Sequence, residues 1–166
     1  YEFACDLLIK EKGEVEIVGF GMSEEQTEET LKHPLVMLCS DGSALAPYGP
    51  LHQGKPHPRN YGTFPRFLGL YVRDRKALTL PQAVKKMTSM PAAKLGLKDR
   101  GTLKPGNFAD MVVFNPATVA DKATYIEPEQ YPVGIDYVIV NGKVVIDHDS
   151  HTGALPGKIL YGPGKK

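Results

Sequence analysis

The sequence predicts an α/β chain in two parts, helix-and-strand over residues 1–100 and mainly β over residues 101–166. Three observations predict it. Residues 15–39 alternate between a β-branched run, a capped polar helix and a continuous apolar run. A second capping box opens an amphipathic helix near residue 79. From Gly101 the 3.6-residue apolar period gives way to turn signals and short β-branched runs.

The elements follow in order. Residues 3–11 read as a helix because Phe3, Leu7, Leu8 and Glu11 recur at three- and four-residue spacing, and Gly13 ends it. Residues 15–20 (VEIVGF) read as a strand. Ser23-Glu24-Glu25-Gln26 is a capping box opening a helix to about His33, and its two glutamates suit the positive helix end. Its mostly polar composition predicts a surface position. Residues 35–39 (LVMLC) are apolar without alternation, as in a strand buried on both faces, so Cys39 is expected as a buried, reduced thiol. Strand, helix and strand make one βαβ unit with a right-handed crossover. Asp41 then lies just past the carboxyl end of the second strand, where ligands and catalytic groups gather in parallel α/β folds.

Residues 45–63 form a long loop carrying Pro47, Pro50, Pro56 and Pro58, and loops of this length are often functional. Residues 64–72 are expected to be helical. Thr79 and Gln82 form the second capping box, followed by Leu80, Ala83, Val84 and Met87 as a core-facing stripe. Pro91 starts a short helix and Gly96 stops it. Pro105-Gly106 is a turn before a strand at residues 111–114. Residues 138–146 (VIVNGKVVI) are a hairpin turning at Asn141-Gly142. Residues 151–166 are rich in Gly and Pro and mostly irregular.

Composition narrows the function classes. The 166 residues are 42% hydrophobic and 23% charged, as in an ordinary globular protein. A net charge of +1 gives no footprint for nucleic acid or an anionic membrane. No apolar run approaches membrane-spanning length. Two cysteines make no disulfide framework, and a cytoplasmic location is the default.

Few residues carry chemistry. Asp41, before Gly42, reads two ways: a carboxylate presented to a site, or a turn capped by its own side chain. Gly42 would let the backbone turn away without a side chain blocking the approach. Arg59 offers a planar fork to a carboxylate, or a surface ion pair. Tyr48, His52 and Tyr61 share the long loop; they read as packing or solvent-facing residues, with lining of an acyl pocket as the alternative. The five histidines, His33, His52, His57, His148 and His151, include no His-x-His pair. His148-Asp149-x-His151 reads as a solvated polar turn. Arg66 and Asp110 read as structural, and Met87 and Met90 as core.

Five stretches then occur in a characteristic order: SDGSALAPYG, HPRNYGTFPRFLGLYVR, LTLPQAVKKMTSMPAAKLGL, RGTLKPGNFADMVVFNPATV and HTGALPGKIL. In these the chain resembles the D-aminoacylases, the N-acyl-D-amino-acid deacylases of the amidohydrolase superfamily. The resemblance implies a zinc-dependent (β/α)8 TIM barrel with a small β-sandwich built from both chain ends. It implies that residues 1–100 are the carboxyl-terminal part of the barrel, with strands seven and eight at residues 15–20 and 35–39. Residues 101–166 would be a β-sandwich segment and tail. It implies that Asp41 is the catalytic aspartate ending strand eight, with a weak claim as metal ligand. Arg59 would bind the substrate carboxylate. The histidine and cysteine ligands belong to earlier strands, so no metal is expected on this chain alone. A closed barrel takes roughly 250 residues, far more than the ~100 α/β residues here. Three readings follow: a carboxyl-terminal segment inactive by itself, a non-catalytic packing module, or one half of a split enzyme completed in trans.

Overall fold

The computed structural model describes residues 1–15, 17, 19–52 and 54–161. Helix α1 (Glu2–Lys10) buries no residue, so its apolar side chains lie open. Helix α2 (Glu24–Lys32) is capped by Ser23, whose Oγ accepts the Gln26 N–H. Only Leu31 of α2 is buried, as a polar surface helix requires.

A single-turn 3₁₀ helix (Gly49–Leu51) interrupts the long loop. Helix α3 (Arg59–Arg66) then runs directly into a π-helix (Phe67–Asp74). Helical structure thus covers residues 64–72 as expected, but begins earlier, at Arg59. Pro65 inside α3 supplies no N–H to the preceding turn. The wider winding beyond it is seen in the Arg75 N–H bonding to the Leu70 carbonyl. Helix α4 (Leu80–Met87) opens on a complete Thr79–Gln82 capping box, and α5 (Ser89–Lys94) follows.

One core results. Phe67, Leu68 and Tyr71 of the π-helix pack with Leu31, Leu78, Ala83 and Val119, and Met87, Leu38, Phe114 and Ile135 close its edges. Val119 is fully buried at a close backbone approach, because a Cβ on Gly134 would lie 2.6 Å from its nitrogen.

The β part is a four-stranded antiparallel meander, β1 (Met111–Phe114), β2 (Ile135–Val140), β3 (Lys143–Asp147) and β4 (Ser150–His151), in that order. The turn at Asn141-Gly142 has φ of 49° and 78°, the paired positive values that a two-residue hairpin needs. Asp110 accepts the Asn141 N–H at 2.7 Å and pairs with Arg100, tying the turn to the start of β1. Every residue of β2 is half-buried, so neither face of the sheet is fully packed. Among the described residues it is a single sheet, without a second one opposite.

Among the described residues the βαβ unit expected over residues 15–39 is not formed. Glu16 and Val18 lie outside the described residues, and no strand is assigned to the rest of residues 15–20. Residues 35–39 join no sheet. Cys39 is exposed rather than buried. The physical reason is non-local: a parallel strand is completed only by hydrogen bonds to strands elsewhere. Residues 35–39 instead follow α4, where the Leu38 N–H donates to the Lys86 carbonyl. Among the described residues no helix is long and apolar enough to cross a membrane.

Candidate functional site

Residues 40–43 and 57–60 meet beside a cavity of about 370 Å³ whose lining includes Asp41, Ser43, Lys55, His57, Arg59 and Asn60. Asp41 has φ of 50°, a conformation that aspartate tolerates better than most residues. The turn is closed by Ser40, whose Oγ accepts the Gly42 N–H at 3.2 Å. This leaves the Asp41 carboxylate for Arg59, whose Nη2 stands 3.1 Å from Asp41 Oδ2. The aspartate side chain is 84% exposed and the arginine side chain 44%. The two residues singled out in the sequence therefore share one site, with charges opposed and open to solvent.

The entry to α3 sets the guanidinium. Pro58 precedes the helix, and the Arg59 N–H donates to His57 Nδ1 at 3.0 Å. That bond leaves the proton of the neutral imidazole on Nε2. Burial, and secondarily the Arg59 charge, hold the His57 pKa below the ordinary imidazole value. Its ring packs edge-on against Tyr125, with centroids 5.1 Å apart.

Asn60 is the site residue that sequence reasoning missed. Its Oδ1 accepts the Ser43 N–H at 2.6 Å and its Nδ2 donates to the His57 carbonyl at 2.8 Å. The role of Gly42 changes accordingly. A Cβ there would lie 2.9 Å from Asn60 Oδ1, so the glycine also admits Asn60. The asparagine after His-Pro-Arg was the available signal, but its partner lies seventeen positions away, beyond any local pattern.

Lys86 was also missed. It falls on the buried side of α4, 5% exposed, and its Nζ donates to the carbonyls of His33 at 2.5 Å and Val36 at 2.7 Å. Burial, then Lys85, push its pKa down. Lys86 thus fastens the segment that leads into Asp41.

Of the loop residues, Tyr48 is exposed, while His52 and Tyr61 contact the segment before β2. His52 Nε2 lies 3.2 Å from Glu129 Oε2, and the rings of Tyr61 and Tyr131 are 6.0 Å apart. Burial, with Glu129 nearby, pushes the Tyr61 phenol pKa up, and its hydroxyl is buried with no hydrogen-bond partner. Arg66 bridges structure, reaching Asp121 at 3.6 Å and Glu24 at 3.9 Å. His148 bonds Asp147 in an exposed turn, which pushes its pKa up.

Among the described residues no three His, Cys, Asp or Glu side chains are grouped to hold a metal ion. Asp41 stands alone in that respect, its carboxylate already paired with a cation. The donor set among the described residues does not fit a zinc site by itself.

Known proteins share this sequence and shape. The amidohydrolase family model matches residues 20–146. A D-aminoacylase from Alcaligenes xylosoxydans xylosoxydans is 45% identical over 143 residues, 86% of this chain and 28% of that protein. An N-acyl-D-glutamate deacylase from the same organism is 43% identical over 145 residues, with the same shares. The crystal structure of the Bordetella bronchiseptica N-acyl-D-glutamate deacylase, complexed with zinc and a phosphonate mimic of the tetrahedral intermediate, superposes with a TM-score of 0.68. It is 46% identical, and the match covers 75% of this chain and 25% of that one. The chain thus spans little more than a quarter of the length of the proteins it matches. With the family model covering most of its residues, the chain belongs to the amidohydrolase family.

Proposed function

We propose that this sequence is the carboxyl-terminal segment of a metal-dependent deacylase that hydrolyses N-acyl-D-amino acids, with Asp41 as its proton-handling carboxylate and Arg59 as its substrate-carboxylate anchor. The observation that carries the proposal is the Asp41–Arg59 pair beside a shared cavity. The names of the similar proteins supply the substrate class. On this reading Asp41 accepts a proton from the attacking water as the amide carbon becomes tetrahedral. It then returns that proton to the nitrogen as the C–N bond breaks, leaving a carboxylate and a free D-amino acid. Arg59 changes partner from Asp41 to the substrate's α-carboxylate, which both fixes the substrate and frees the base.

The similar N-acyl-D-glutamate deacylase holds zinc. For this protein the metal would be bound by residues outside the present sequence, supplied in cis or by a second chain. Residues 15–20 and 35–39 would become strands seven and eight of a barrel once their neighbours are present. The meander would supply part of a sandwich. The open apolar side chains of Ile17, Phe20 and Leu35 support this, since each needs a cover that the described chain lacks.

The test is kinetic, on the metal-loaded protein that includes these residues together with the missing barrel strands. Asp41→Asn is expected to abolish hydrolysis of N-acyl-D-amino acids with the bound metal retained. Near-normal turnover in that variant would overturn the assignment.

A further inference from the structure

Asn60 touches both halves of the site. One end of its amide accepts from the Ser43 backbone, two residues past Asp41, and the other donates to the His57 carbonyl, two residues before Arg59. Three neighbouring features tighten this link. The Ser43 bond is short, at 2.6 Å. Gly42 lets Asn60 approach so closely that a Cβ would meet Oδ1 at 2.9 Å and Cα at 3.2 Å. The Asp41 backbone has φ of 50°, a conformation of limited intrinsic favour that surrounding contacts must hold. Ser40 closes the turn from within, while Asn60 ties its backbone to α3 beside the Asp41–Arg59 ion pair.

We propose that Asn60 is a positioning residue that sets the Asp41 carboxylate in register with Arg59, and that Gly42 is the residue that admits it. This rests on the deacylase reading. The logic is geometric. The ring of contacts from Ser43 through Asn60 and His57 to Arg59 fixes the turn bearing the carboxylate against the helix bearing the guanidinium. Without the asparagine the turn would keep its internal Ser40 bond and the Arg59 ion pair, and once Arg59 turned to a substrate carboxylate Asp41 could swing relative to that anchored substrate. Misplacement of a reacting group by about 1 Å costs on the order of a hundredfold in rate.

The decisive measurement is the division of the effect between kcat and KM, made on the metal-loaded protein well below its melting temperature. Asn60→Ala is expected to lower kcat by about ten- to a hundredfold, with KM changed less than about threefold because Arg59 keeps its helix. Asn60→Asp keeps an acceptor for the Ser43 N–H and is expected to recover most of the lost kcat. Gly42→Ala is expected to lower kcat in the native background and to cost much less in the Asn60→Ala background, where Oδ1 is gone. A lower melting temperature with kcat unchanged, or strictly additive Gly42 and Asn60 effects, would overturn the proposal.

A readout independent of activity separates this idea from the deacylase reading. In the 166-residue chain the Ser43 amide is expected to exchange at least about tenfold faster in Asn60→Ala than in the native sequence. Unchanged exchange overturns the clamp. Turnover retained in Asp41→Asn, with faster Ser43 exchange in Asn60→Ala, would instead overturn the deacylase reading and leave the clamp standing.

Discussion

Arg59 Nη2 stands 3.1 Å from Asp41 Oδ2, so an arginine and an aspartate eighteen positions apart in the sequence meet as an ion pair. Both side chains are open to solvent. Exposed pairs of this kind contribute between nothing and about 1 kcal/mol to stability. The pair therefore adds little to the stability of the fold.

Removal of the guanidinium follows directly. In the metal-loaded protein, Arg59→Ala is expected to raise KM for N-acyl-D-amino acids about thirtyfold, equivalent to roughly 2 kcal/mol for a charge-assisted bond. Amides lacking the α-carboxylate should change far less. Steady-state kinetics on both substrate types checks this, and equal losses would remove Arg59 from carboxylate recognition.

Lys86 gives a stability prediction for the chain itself. Lys86→Met keeps most of the buried volume but removes the Lys86 donor from the Val36 carbonyl and leaves the His33 carbonyl with the Val36 N–H. A part-buried carbonyl left unsatisfied costs about 1–3 kcal/mol, so a loss of about 1–3 kcal/mol is expected by urea denaturation. Met87→Leu, a volume-conserving change beside it, should cost less than about 1.5 kcal/mol.

Tyr71 gives a pH dependence. Burial, and then its hydrogen bond to Glu24, push the phenol up to about 12. A raised pKa means that the folded state holds the proton more tightly than the unfolded chain, whose tyrosines titrate near 10. The stabilisation is therefore complete below pH ~10 and is lost as pH rises from there toward 12. The native chain is expected to lose about 2 kcal/mol more between pH 9 and 12 than Tyr71→Phe does. Paired urea titrations at the two pH values measure the difference, and parallel losses would contradict it.

The open apolar surface gives the fourth prediction. Ile17, Phe20, Met22 and Leu35 are each at least 80% exposed, and α1 buries nothing. The isolated chain is expected to self-associate at micromolar concentration, read by light scattering after size exclusion. Ile17→Lys with Leu35→Lys should shift it toward monomer. A dilution-independent monomer of the native chain would refute this.

What the sequence determined by itself is the set of elements decided within a few residues of the chain. Ser23 and Thr79 cap their helices as their spacing predicts, because the bonded partners lie three residues away. Asn141-Gly142 makes its hairpin for the same reason, through the conformations these two residues tolerate. The motif resemblance singled out Asp41 and Arg59, which the fold brings within 3.1 Å of each other. What only the tertiary structure decided depends on distant partners. A β-branched or apolar run becomes a strand when a neighbour supplies hydrogen bonds; residues 35–39 have no such neighbour among the described residues and rest on α4, with Cys39 exposed. The buried place of Lys86 follows from carbonyls fifty and fifty-three positions away, which no helical period reveals. Asn60 gains its meaning from Ser43, and Gly42 from Asn60. Local hydrogen bonds are fixed by spacing along the chain, whereas a clamp across a site exists only once folding brings its two sides together.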